Sequence, residues 1–595
     1  MTLEKLQNTD LIVSEILSKY NKIAMVGVSP NWKRPSNFVL KYLKKNGFIV
    51  YPVNPNYAGK TIEGDFWYSN LEDIPYPVEI VDLFRPSNEC LKLSKKSIKI
   101  GAKVIWMQIG IINEEAKELA LSEGLKVIMD KCPKIEHSRI NGSLGFGGIN
   151  SRILSSRKIN SISSRDGGFL ETGNLDTISI HAGTRPDPFT GARQTPIYQT
   201  TSFVFDDTEH AASLYNLQEP GNIYGRLSNP TTASLEQRLA ALDDGIGACC
   251  LSSGHAAQLV ALYPLMEMGK KIVASKKLYG GTITQFSITF KKFGWDVIFV
   301  DTENISEVDN AVSDPNVSVL FAESLANPDG NISDIAMLSK IAKKNKIPLI
   351  IDNTMATPIL CQPGKFGADI IVYSTTKFLS GHGHSLGGAV IDCGSFNWKS
   401  GRNFPTLTNP DPAYHGFSFY ETFGPLAYIT FCHSKALRDL GPTLSPMNAF
   451  LTLIGLETLP LRMKKHMKNA KRIANFLHNH PKINYVSWAG FKNNNYYKLA
   501  KKYFNFGFGS VFTFEVKGGL DSGKKVLENC NLISHLANIG DTRTLIIHPG
   551  STTHRQLNKK QKLDAGITEG LLRISVGIEN PNDIIADLKE ALKLI

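Results

Sequence analysis

The 595-residue chain reads as an α/β protein made of two folding units. Three observations predict this. Short apolar runs alternate with amphipathic ones over residues 22–137, the same alternation returns over 236–395, and a stretch rich in Ser, Gly and Asn lies between them. Such alternation implies parallel strands joined by right-handed helical crossovers, with helices covering both faces of each sheet. The length also exceeds that of one ordinary domain.

In chain order, "KIAMVGV", "FIVYPVNP", "VEIVDLF", "AKVIWMQIG" and "LKVIM" read as strands, with "PSNFVLKYLKKNG" and "EEAKELALSEG" as helices among them, and this first unit is assigned to residues 1–137. Residues 138–174 are assigned as a linker, because a composition of Ser, Gly and Asn offers little apolar surface to bury. Residues 175–425 form a large α/β domain preceded by an N-terminal arm, with strands "KKIVAS", "WDVIFVD", "VSVLFAE", "IPLIIDN", "ADIIVYS" and "GGAVIDC". Long amphipathic helices mixed with "SVFTFEV" and "LLRISVG" make residues 426–595 a smaller α+β domain.

The formal charge of +12 is spread along the whole chain. Its densest stretch, "RMKKHMKNAKRIANFLHNH", spaces apolar residues at helical intervals, so it reads as a solvated helix face and no nucleic-acid partner is expected. Eight cysteines without a CxxC pair indicate neither a metal site nor a disulfide framework, which fits a reducing compartment. With no signal-type apolar segment near the N-terminus and no run of membrane-spanning length, a cytoplasmic protein without a membrane partner is expected.

Ligands of parallel α/β sheets bind at the carboxyl ends of the strands. Three strand ends here carry complementary polar residues: Asn327 in "FAESLANP", Asp352 in "LIIDNT" and Lys377 in "IIVYSTTK". Taken singly, a lysine after a strand is usually solvated and an aspartate there often caps a helix. Together, with Ser374 and Thr376 beside the lysine, they suit a cofactor that has a cationic ring nitrogen, an aldehyde and a phosphate. Pyridoxal 5'-phosphate (PLP) has all three: a lysine forms its Schiff base, and a carboxylate keeps its ring protonated and electron-accepting. Gly254 in "LSSGHAAQ" lets a loop approach the phosphate closely before a helix begins.

Residues 175–595 resemble the Cys/Met-metabolism family of PLP enzymes through "YGRLSNPT", "LSSGHAAQ", "LYGGT", "ESLANPDG", "IDNTMATP", "STTKFLSGHG", "DPAYHGFSFYETFGP", "IIHPGSTTH" and "LLRISVGIE". The resemblance implies a fold type I PLP-dependent transferase and gives roles by motif. Lys377 is then the Schiff-base lysine and proton shuttle, Asp352 the partner of the ring nitrogen, and Tyr279 the aromatic that stacks on the ring. Asn327 lies near the ring hydroxyl, and Gly254, His255, Ser374 and Thr376 cradle the phosphate. Tyr224 and Arg226 reach the phosphate of a neighbouring subunit, which implies a homotetramer or homodimer with shared active sites. Arg573 grips the substrate α-carboxylate, and Asn538 and Ser551 line the substrate side.

The implied chemistry is γ-replacement on O-acetyl-L-homoserine with sulfide, giving homocysteine for methionine biosynthesis. Cystathionine formation, use of the succinyl ester and γ-elimination are related activities of the family. Gly281 stands where eliminating members carry a cysteine, which counts against elimination. A non-catalytic scaffold is disfavoured by the intact Lys377, Asp352 and Arg573. His255, His384 and Gly550 depart from the usual family residues, and none of them is a reacting group.

Residues 1–137 resemble the small CoA-binding domains of Rossmann-like fold through "MVGVSPNWKRPSNFVLKYLKKNGFIVYPVNP", "VDLFRP" and "EHSRI". The ligand implied is CoA or an acyl-CoA, contacted by Gly27, Ser29, Arg34, Asn54, Pro55 and Arg85. The second strand ends in "PVNP", without the acidic residue that a dinucleotide ribose requires, so NAD is not expected.

Overall fold

The computed structural model describes residues 3–140, 143–156, 169–170, 173–327, 330–552 and 568–595. The first unit is a five-stranded parallel sheet, β1 (Lys22–Val26), β2 (Ile49–Val53), β3 (Ile80–Leu83), β4 (Val104–Met107) and β5 (Lys126–Ile128), in the order β2-β1-β3-β4-β5. Every residue of β3 and β4 is buried, as expected of strands covered on both faces. The helix Pro35–Lys45 covers one face, with proline in its first turn and Lys44 and Lys45 in its last, where the helix dipole favours cations.

The second sheet has seven strands, β6 (Gly247–Leu251), β7 (Lys271–Ser275), β8 (Asp296–Val300), β9 (Val317–Glu323), β10 (Leu349–Asp352), β11 (Ile370–Tyr373) and β12 (Gly388–Asp392), in the order β6-β12-β11-β10-β9-β7-β8. Six are mutually aligned, whereas β12 runs antiparallel to both neighbours. This departs from a purely parallel reading. Residues 374–387 turn directly back instead of crossing over the sheet, and a direct return forces antiparallel pairing. A third sheet, β13 (Ile483–Ser487), β14 (Val511–Val516), β15 (Ser534–His535), β16 (Leu545–Ile547) and β17 (Leu571–Ser575), packs on the helices Leu459–His478 and Pro581–Lys593.

Two stretches sit differently from their composition. Within 138–174, Ile149 and Leu154 are buried, Ile149 bridges to Gly247, and the Asn150 Nδ2 donates to the Gly245 carbonyl. A few apolar residues in a polar stretch are enough to seat a strap along a sheet edge. Residues 157–168 of that stretch lie outside those described. Farther on, Ala427, Tyr428, Phe431, Cys432 and Leu437 join the core of the seven-stranded domain. The large domain therefore reclaims chain beyond residue 425, because these side chains complete the apolar cover over β6 and β12.

The two units touch directly. Lys45 pairs with Glu219 at 2.7 Å, the Lys134 Nζ donates to the Gln218 carbonyl at 2.5 Å, and Ile135 packs against both cores.

Candidate active site

Strands β6 and β11 both oppose β12 and therefore run the same way, so the carboxyl ends of β6, β7, β9, β10 and β11 collect along one edge. After β6, the Ser253 hydroxyl caps the helix Gly254–Leu262 by accepting from the Ala256 amide at 3.1 Å. A Cβ on Gly254 would lie 2.7 Å from the Ser374 Cβ, so glycine is what keeps this loop against the end of β11. The helix start leaves free amides at the place where Ser374 and Thr376 emerge.

These ends and the third sheet enclose a cavity of about 270 Å³. Gly254, His255, Tyr279, Asn327, Asp352, Ser374, Thr376 and Lys377 line it from the large domain, and Asn538 and Arg573 from the small one. The Lys377 Nζ donates to the Asn538 Oδ1 at 2.5 Å, and burial, with Arg573 adding to it, pulls the amine down to about 8. Arg573 donates from Nη1 to the Asn327 Oδ1 and from Nη2 to the Asn538 carbonyl, both at 3.1 Å, while its buried Nε has no partner among the described residues. Burial lowers this guanidinium to about 10. A fixed guanidinium with an unused donor is a seat for a carboxylate.

Asp352 accepts from the Thr354 amide at 3.0 Å and from the Gln258 Nε2 at 3.4 Å, and burial pushes its carboxyl above the usual range. Its register partner Glu323 is also buried and pushed well up, by burial first and then by Asp352. The Glu323 Oε1 accepts from the Tyr279 amide at 2.6 Å and its Oε2 from the Asn327 amide at 3.2 Å, so one carboxyl fixes two walls of the cavity.

Other expected residues lie elsewhere. Ser551 bonds to the His548 Nδ1 at 2.9 Å and is not among the lining residues of this cavity. Tyr224 and Arg226, in cation–π contact at 5.1 Å, line a second cavity between the two units, together with Gly27, Ser29, Arg34 and Arg85. Asn54 and Pro55 are not among its lining residues: the Asn54 Nδ2 donates to the Val28 carbonyl and ties β2 to β1. Sequence reasoning missed Glu323, Gln258 and Thr354. Glu323 carried the same signal as Asp352, an acid closing a buried strand, whereas nothing marked Gln258 or Thr354 beyond nearness to a motif.

Residues 176–593 match the sequence profile described as Cys/Met metabolism PLP-dependent enzyme. The chain belongs to that family. An O-acetyl-L-homoserine sulfhydrylase of Leptospira meyeri is 50% identical over 429 residues, 71% of this chain and 97% of that protein. A homocysteine synthase of Schizosaccharomyces pombe is 43% identical over 427 residues, with 71% and 99% covered. A solved Campylobacter jejuni structure, assigned as an O-acetylhomoserine (thiol)-lyase with N'-pyridoxyl-lysine-5'-monophosphate, aligns with TM-score 0.68 and 42% identity over 71% of this chain and 100% of that one. Residues 21–138 match the CoA binding domain profile. Among the described residues no helix is long and apolar enough to cross a membrane.

The family is PLP-dependent, and the cavity of this member fits the cofactor. Lys377 offers a half-buried amine, Asp352 a half-buried carboxyl suited to a cationic ring nitrogen, and Tyr279 an exposed ring. Gly254, His255, Ser374 and Thr376 offer backbone and hydroxyl donors for a phosphate, although the Thr376 hydroxyl already exchanges hydrogen bonds with Gly387.

Proposed function

We propose that the chain catalyses replacement of the acetoxy group of O-acetyl-L-homoserine by sulfide, giving L-homocysteine and acetate. The observation that carries this reading is the meeting of Lys377, Asp352 and Arg573 around one cavity of about 270 Å³, in a chain that is 50% identical over 429 residues to an O-acetyl-L-homoserine sulfhydrylase. Bound PLP supplies the electron sink for the α- and β-carbons of the amino acid.

Everything else falls to the residues of the chain. Arg573, braced by Asn327 and Asn538, holds the substrate α-carboxylate and so fixes which face of the α-carbon meets Lys377. With its pKa near 8, the Lys377 Nζ can give and take protons at the α- and β-carbons close to neutral pH, where an ordinary lysine stays charged. Asn538 anchors that amine through its Oδ1. Glu323 keeps Tyr279 and Asn327 in place against the reacting groups.

Homocysteine formation from O-acetylhomoserine and sulfide tests the reading. Lys377→Ala should abolish it, and a faster reaction with O-succinylhomoserine, cystathionine formed with cysteine, or 2-oxobutyrate released without a thiol would replace it with a related activity.

Tyr224 and Arg226 lie outside the chain's own Lys377 cavity, which supports a role in the site of a neighbouring subunit within a dimer or tetramer. Mixing inactive Lys377→Ala subunits with inactive Arg226→Ala subunits should then restore up to about a quarter of the activity in a dimer with shared sites. No recovery would mean that each subunit works alone. The N-terminal domain is read as a CoA- or acyl-CoA-binding unit, a ligand class that would report on the acetyl donor behind the substrate.

A further inference from the structure

The cavity between the two units measures about 1030 Å³, far larger than the catalytic one. One wall is the carboxyl edge of the first sheet where β1 separates β2 from β3, the switch point at which open parallel sheets take ligands. Gly27 leaves β1 there with φ +88°, and a Cβ on it would lie 2.5 Å from the Phe84 carbonyl oxygen. Only glycine tolerates that conformation and that approach together. Arg34 and Lys134 line the same wall, and neither has a carboxylate at ion-pair distance among the described residues. Lys134 is half-buried, donates to the Gln218 carbonyl, faces the Phe38 and Tyr42 rings at 5.9 Å, and is lowered to about 8 by desolvation despite the opposing pull of Glu219. An anionic group beside Lys134 would offset the desolvation that lowers its amine, and the exposed Arg34 supplies a second cation on the same wall.

The opposite wall belongs to the PLP domain. Phe203, Phe205 and Leu214 make it apolar, and His433 adds one polar atom. The His433 Nε2 lies 2.9 Å from the Ala248 carbonyl oxygen, to which it must donate, and 3.7 Å from the Glu236 Oε1. The ring is 8% exposed and closes this wall of the cavity. The cavity thus suits a molecule with phosphates at one end and a long body with apolar stretches.

We propose that this cavity is a single ligand site shared by both domains, taking a CoA-type molecule with its phosphates at Gly27, Arg34 and Lys134 and its pantetheine arm against Phe205, Leu214 and His433. The proposal rests on the reading of the N-terminal domain as a CoA-binding unit and adds that half of the site is built by the PLP domain. Free energy of binding then holds the two domains together, and substitutions on either wall alter the affinity.

The test is calorimetric titration of the full-length, PLP-loaded protein with CoA, using Arg34→Ala on one wall and Phe205→Glu and Leu214→Trp on the other. Unchanged circular dichroism and an unchanged cofactor absorbance band identify the variants that fold. Phe205→Glu puts a carboxylate where the arm should lie, and Leu214→Trp fills the space. Each should weaken CoA at least about tenfold, the equivalent of losing much of one buried aromatic contact. If Arg34→Ala weakens binding while both PLP-domain variants bind as the unaltered protein does, the ligand sits in the N-terminal domain alone and the shared site is overturned, with the CoA reading intact. If the unaltered protein binds no CoA, that reading fails and the shared site fails with it.

Discussion

Lys377 and Arg573 are both cations removed from water, and the lysine is the one that can yield its proton. Its folded value near 8 lies below the ordinary 10.5, so the neutral amine, the form that attacks an aldehyde, becomes half populated at about pH 8. PLP uptake by the cofactor-free protein should therefore speed up with pH to about 8 and then level off, read from growth of the visible absorbance band. Arg573→Ala, which removes the like charge, should move that inflection upward. A rate that keeps climbing through pH 10 would show an unperturbed lysine. Glu323 illustrates what single residues hide. Its place at the end of "VSVLFAE" matched that of Asp352, yet its work, accepting from two amides more than forty and exactly four residues away in the chain respectively, depends on which strands become neighbours.

Elements were legible where periodicity was strong. The alternating runs of residues 22–128 give the five parallel strands directly, and the continuous apolar runs from 270 onward give six of the seven strands of the large sheet, whereas β6 with its Gly-Ala-Cys-Cys composition escaped notice. Strand order and the reversed β12 were not legible, because pairing is decided by the path of the connections and not by the composition of the strand. Strand β3 carries a titration of its own. Asp82 sits fully buried in it, with the Gln108 Nε2 donating to its two oxygens at 2.8 and 2.9 Å, and burial raises its carboxyl from 3.8 to about 8. The folded chain keeps this proton after the unfolded chain has released it, so the contribution to stability is complete below about pH 4 and is lost as pH rises through about 8. Scanning calorimetry should show the melting temperature falling over that window, with a shallower slope for Asp82→Asn. An identical slope in the variant would place the Asp82 proton equilibrium outside folding.

At the scale of the whole molecule, the strap at 149–154 makes a boundary prediction. Removing residues 1–142 leaves Ile149 and Leu154 buried against the large domain, whereas removing 1–174 strips them away and exposes the surfaces they cover. The shorter chain should melt lower by an amount equivalent to roughly 1.5–3 kcal/mol for each buried side chain lost, while both keep the PLP absorbance band. Equal melting temperatures would make the strap dispensable. Legible in the sequence alone were the fold class, through periodicity, and Gly254, Asn327, Asp352, Ser374, Thr376 and Lys377 near strand ends, while the family motifs added His255, Tyr279, Asn538 and Arg573. Long-range packing makes Glu323 and Asp352 neighbours, closes the cavity with Arg573 and Asn538 from another sheet, leaves Ser551 and Asn54 aside, and encloses a second cavity between the two units. Local patterns record which face of an element is buried. They carry no record of the long-range packing that chooses the partner on the other side.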